Sequence, residues 1–70
     1  METKYIFKEL TENRKGEVYS IPYSEKGAAL ASYTKMCEEH PTKNFRVVKR
    51  RVVEEVIAES DDYRQQKFSF

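Results

Sequence analysis

The amino-acid sequence predicts an α+β domain, strand-strand-helix-strand, with one helix packed on a small, mainly antiparallel three-stranded sheet. Three observations carry that reading. Two aromatic and β-branched runs flank a polar turn, an alanine-rich stretch with apolar residues at helical spacing stops at a proline, and a valine-rich run alternates through the last third. At 70 residues the chain has room for one domain, assigned to residues 1–60, followed by a polar tail, "DDYRQQKFSF", over 61–70.

The first strand is read from "KYIFKEL", Lys4 to Leu10, with Tyr5 and Phe7 on one face and Ile6 on the other. "TENRKG" ends in Gly16 and makes a hairpin turn. "EVYSIPYS" follows as a second strand, with Glu17, Tyr19, Ile21 and Tyr23 on one face and Val18 and Ser20 on the other. Pro22 has no N–H to give a ladder, so it marks an edge or a strand end.

A helix is expected from about Glu25 to Glu39, with Ser24 as its N-cap and Glu25 at the positive end of its dipole. Ala29, Leu30, Tyr33, Met36, Cys37 and His40 share one side of it, which should cover the sheet. Pro41 ends it, because the residue before a proline avoids helical geometry.

"FRVVKRRVVEEVI", Phe45 to Ile57, is expected to be one long strand beside the first and antiparallel to it. Six of the eleven residues from Val47 to Ile57 are valine or isoleucine, and as a helix the run would set its basic residues at the wrong end of the dipole. As a strand it places Phe45, Val47, Val53 and Ile57 on one face and Val48, Val52 and Val56 on the other.

Charged residues make up 36% of the chain, yet thirteen basic and twelve acidic side chains leave a formal net charge of +1, so general attraction to phosphate is weak. Cys37 alone cannot form an internal disulfide, and with His40 it cannot close a four-ligand zinc site. The single thiol, the lack of a leader and the lack of an apolar run of about 20 residues point to the cytoplasm and away from membranes. Gly16 and Gly27 are the only glycines, which excludes a glycine-rich phosphate loop. Cys37 and His40 sit three apart on the helix without a third orienting group, so no catalytic, metal or cofactor site is expected. A core this small gains from docking to a partner.

The charge order of the long strand is its distinguishing feature. Paired antiparallel with a second copy about a two-fold axis at Val52, it sets Val52 on Val52, Arg50 on Glu54, Val48 on Val56, Lys49 on Glu55 and Val47 on Ile57. Every pair is apolar with apolar or basic with acidic, each worth roughly 0.2 to 1 kcal/mol. A strand of another protein could read the same template. The same charges would also serve as a solvated edge that prevents pairing. The alternative is a nucleic-acid interface, with Lys43, Arg46, Lys49, Arg50 and Arg51 on phosphates and Tyr19, Tyr23 and Phe45 stacking on bases. In the tail, Tyr63, Phe68 and Phe70 could dock in a partner's pocket, and the plainer alternatives are a frayed end or a short extra strand.

The stretch "EEHPTKNFRVVKRRVVEEVI", Glu38 to Ile57, resembles small proteins of tailed bacteriophages and prophages that join a short helix to a strand of the form arginine-valine-valine-lysine-arginine, then glutamate-glutamate-valine. Members of that group tend to carry threonines near the positions of Arg51 and Val53, which this chain lacks. The resemblance implies an accessory protein of an infected bacterium, and some such proteins bind and inhibit host enzymes or defence systems. It carries over no catalytic residue.

The functional expectation is therefore a non-enzymatic protein-binding module that covers a partner's working surface, a host protein for choice. Its expected binding residues are Arg46, Val48, Lys49, Arg50, Arg51, Val52, Glu54, Glu55 and Val56, with Tyr19 and Tyr23.

Overall fold

The computed structural model describes residues 2–61 and 63. The chain runs β1 (Lys4–Leu10), β2 (Glu17–Tyr23), α1 (Lys26–Glu39), β3 (Asn44–Arg50) and β4 (Glu54–Glu59). The strands form one antiparallel sheet in the order β2-β1-β3-β4. The α+β class, the helix α1 packed on the sheet, and the placing of β3 beside β1 agree with the sequence.

The expectation of three strands is corrected to four. Residues 45–57 are not one strand: the chain turns at Arg51–Val53 and returns as β4. Within that hairpin Arg50 lies opposite Glu54, Lys49 opposite Glu55 and Val48 opposite Val56, so the pairs expected between two copies are made inside one chain. The reason is loop closure, since joining two segments through three residues costs far less entropy than recruiting a second molecule. Val47 faces Ala58 rather than Ile57, because the register shifts between Val47 and Val48 and leaves Ile57 as the extra residue of a bulge.

A second bulge corrects the expected face of Glu17. Glu9 pairs with Tyr19 and Leu10 with Glu17, so Val18 is the unpaired residue and Glu17 changes face. It joins Lys8 there, with Nζ 2.6 Å from Glu17 Oε1. Pro22 lies on β2, an edge strand among those described, opposite Ile6 of β1, as a missing donor requires.

The helix begins one residue later than expected. Glu25, not Ser24, occupies the N-cap, with extended backbone and no capping side-chain bond, and its carbonyl accepts from Ala29 N–H at 3.3 Å. At the other end His40 N–H donates to the Met36 carbonyl at 2.8 Å, and Pro41 follows.

The predicted helix face is the observed one. Ala29, Tyr33 and Cys37 are buried on Phe7, Phe45 and Val47, with Leu30, Met36, Tyr5, Tyr23, Ile57 and Ala58 packed around them. The Phe7 and Phe45 rings stack with centroids 5.5 Å apart. Phe7, Phe45 and Val47 are the largest fully buried side chains. Burial of each contributes roughly 1.5 to 3 kcal/mol, against about 0 to 1 for a surface ion pair, so these residues outweigh the charges in holding the fold.

Candidate functional site

The β3–β4 hairpin gathers nine of the eleven expected binding residues, Arg46 through Val56, onto one arm of the sheet. Its stem is charge-paired along its length. Arg50 donates from Nε to Glu54 Oε1 at 3.0 Å and again through its terminal nitrogen. Lys8 reaches the same oxygen from β1 at 3.5 Å, so Glu54 joins three strands. Arg46 Nε lies 2.8 Å from Glu59 Oε1, near enough for strong attraction, although its N–H is not aligned for a hydrogen bond. Hydrogen bonding from Arg50, helped by the charge of Lys8, holds the Glu54 carboxyl below its ordinary value.

The tip of this hairpin is chemically different. Arg51, Val52 and Val53 make the turn, and the two valines are 73% and 75% exposed. Three-residue hairpin loops usually end in a left-handed residue, most often glycine. Among the described residues the only non-glycine with positive φ is Arg14, far from this turn.

This geometry weakens the nucleic-acid reading. Of the five basic residues assigned to phosphate, Arg46 and Arg50 are ion-paired to glutamates, Lys43 lies 3.8 Å from Glu9, and Lys49 faces Glu55 across the ladder. Alternation also divides them between two faces of the sheet.

Tyr19 and Tyr23, the other two expected binding residues, lie on β2, separated from β3 by β1. Tyr23 is half-buried and its hydroxyl shares a hydrogen bond of 2.7 Å with Ser32 of the helix. Tyr19 lies against Phe7, ring centroids 6.2 Å apart, and opposite Glu9. Burial first, then the Glu9 carboxylate, pushes its phenol above the ordinary value.

Val18 and Ile21, which sequence reasoning did not name as binding residues, are 57% and 41% exposed on the same edge. Together with Tyr19 they make β2 an apolar sheet edge whose only charge is Glu17. Beside the Val18 bulge a shallow cleft of about 350 Å³ opens between Glu9, Leu10, Thr11, Val18, Lys43 and Asn44. The signal in the sequence is Pro22, because an edge strand leaves the residues beside it uncovered.

The β1–β2 turn is held by polar chemistry. Thr11 N–H donates to the Gly16 carbonyl and Arg14 N–H to the Thr11 carbonyl, both at 2.9 Å. Asn13 Oδ1 accepts from Thr11 Oγ1 at 2.7 Å and from Lys15 N–H at 3.0 Å. Arg14, at φ 63°, grips both carboxylate oxygens of Asp61 and donates to Asn44 Oδ1 at 3.2 Å, while Asn44 Nδ2 donates to the Glu12 carbonyl at 3.2 Å. The turn, the start of β3 and the chain after β4 are thereby joined.

Two residues of the expected tail, Asp61 and Tyr63, are thus engaged, as is Ser60 at the end of the expected domain. Ser60 is buried and its Oγ accepts from Phe45 N–H at 3.1 Å, and Tyr63 meets Tyr33 edge to face at 6.3 Å. Phe68 and Phe70 lie outside the described residues. Cys37 is 4% exposed within the core, where a thiol packs rather than reacts, and His40 caps the helix end. Among the described residues no three His, Cys, Asp or Glu side chains converge as metal ligands, and no helix is long and apolar enough to cross a membrane.

No protein-family model matches the chain, and no curated protein or solved structure matches it either.

Proposed function

We propose that the protein is a non-enzymatic interaction module that binds an extended segment of another protein along the outer edge of β2. One observation carries the reading: β2 is a seven-residue edge strand with Val18, Tyr19 and Ile21 exposed on it and a single charge, at Glu17. Edge strands present unpaired backbone donors and acceptors, and charge is the usual protection against unwanted pairing. The opposite edge, β4, carries three charges, Glu54, Glu55 and Glu59, whereas β2 carries one, Glu17, with its bulge at Val18 and its proline near the far end, at Pro22.

A strand added to β2 would gain main-chain hydrogen bonds along Glu17–Ile21, since Pro22 lacks the donor to continue. Its side chains would pass over Tyr19 and Ile21, and one would enter the cleft beside Val18. The resemblance of the Glu38–Ile57 stretch to phage accessory proteins favours a bacterial host protein, such as a defence enzyme, as the partner. The mode of action is occlusion of the partner's working surface.

The test compares capture from a bacterial lysate by the tagged chain and its Ile21→Lys variant, with Glu55→Lys on the other edge as control. A partner retained by the native chain and by Glu55→Lys, but reduced about tenfold by Ile21→Lys at an unchanged melting midpoint, supports the edge. Equal retention by Ile21→Lys removes it. Loss of a salt-sensitive oligonucleotide upon Arg50→Glu and Arg51→Glu would establish the nucleic-acid alternative.

A further inference from the structure

We propose that the β3–β4 hairpin is also a dimerisation device, in which the Arg51–Val53 turn straightens and β4 is exchanged with a second copy of this chain. In the exchanged form residues 44–59 run as one continuous strand, paired antiparallel with its counterpart about a two-fold axis at Val52.

The register admits a second copy, as it does in any hairpin with an odd loop, and the turn chemistry singles this hairpin out. In the hairpin Val48 faces Val56, Lys49 faces Glu55 and Arg50 faces Glu54, three pairs with a common centre at Val52. A ladder symmetric about one residue is unchanged when its second strand comes from another molecule. The bulge at Ile57 and the pairs Val47 with Ala58 and Arg46 with Glu59 transfer with it. The attachments beyond β4 transfer as well, because Ser60, Asp61 and Tyr63 would meet Phe45, Arg14 and Tyr33 of the other copy as they now meet their own. The exchange therefore keeps every strand pair of the monomer and changes only residues 51–53.

Those three residues suit the extended form better than the turn. Val52 and Val53 are β-branched, favour strands, and stand 73% and 75% exposed at the tip. Continuing the ladder sets Val52 against Val52 of the second copy and Val53 against its Arg51. Each Arg51 then lies diagonal to Glu55 of the other copy, within reach of a long side chain. Short hinge loops poor in turn chemistry are where strand exchange arises, and a symmetric result closes as a dimer rather than growing as a fibre. At low concentration the three-residue closure wins, so exchange depends on concentration and is slow, because β4 must leave β3 first.

Sedimentation equilibrium from micromolar to millimolar concentration tests the proposal on the native chain and on V52N/V53G, which supplies a glycine where a three-residue turn wants one. The native chain should pass from monomer to dimer, and V52N/V53G should stay monomeric throughout. In a dimer prepared from mixed labelled and unlabelled chains, contacts between the Val48 and Val56 methyls should be intermolecular. A chain lacking Arg51 and Val52 keeps the alternation, cannot turn over the one residue left, and should be dimeric at every concentration. If that variant does not fold, the other two measurements still decide. A native chain monomeric at millimolar concentration, a dimer undiminished in V52N/V53G, or Val48–Val56 contacts that stay intramolecular would each overturn the proposal. Ile21→Lys leaves this dimer intact, which separates it from binding at the β2 edge.

Discussion

The two hairpins of this sheet are closed by different means. The first, β1–β2, is closed at its turn: Thr11, Asn13 and Gly16 bond to one another, and Arg14 and Asn44 tie the loop to the rest of the domain. The second, β3–β4, is closed along its stem by Arg50 with Glu54 and Arg46 with Glu59, and its turn is Arg51 with two exposed valines. A hairpin held at its turn has one way to pair. A hairpin held by its stem has fixed which residues meet without fixing whether they belong to one molecule.

The largest expected effect comes where the hairpins meet. Phe45, at the start of β3, stacks on Phe7 of β1, and Phe45→Ala should cost about 3 to 5 kcal/mol in urea denaturation. Both hairpins should lose amide protection together, and loss confined to one would show that they unfold as separate units. Asn44→Ala is aimed at the first turn alone. It removes the donor that Asn44 gives the Thr11 and Glu12 carbonyls and the acceptor it gives Arg14, and should cost about 1 kcal/mol, with faster hydrogen exchange at Arg14 and Gly16 while Val48 and Val56 stay protected. A cost below about 0.5 kcal/mol would mean that the loop's own hydrogen bonds suffice.

The smallest effect belongs to the second stem. Because the Glu54 carboxyl is held below its ordinary value in the fold, its stabilisation is present above that ordinary value and lost as pH falls through the folded one. Urea midpoints measured from about pH 6 to pH 3 should therefore fall more steeply for the native chain than for Glu54→Gln. The difference should be modest, since the side chain is 38% exposed. Parallel curves would assign the acid sensitivity to other carboxylates.

Much of this architecture was legible in the sequence. The bounds of β1, the start of β2, the buried side of α1 and the edge position of Pro22 follow from alternation, helical spacing and proline chemistry. The turn at Arg51–Val53 was not, because it has no glycine, proline, asparagine or aspartate, and alternating valines pass through it without a break. Alternation reports which face a side chain takes and is silent on whether the chain reverses. The cross-strand partners were nonetheless readable, down to Arg50 with Glu54. The bulges at Val18 and Ile57 left no mark in composition, which is why Glu17 was given the wrong face and Val47 the wrong partner. Of the interaction surface, Tyr19 was visible as an aromatic on an edge strand, but Val18 and Ile21 became candidates only once the helix was seen to settle over β1 and β3.

The sole sulfhydryl sits between helix and sheet, packed with Phe7 and Phe45. An alkylating reagent can reach it only when the helix lifts, so the kinetics of modification at Cys37 record how often the two layers part. The molecule thus carries its own stopwatch for core opening, at a position where no engineered label is needed.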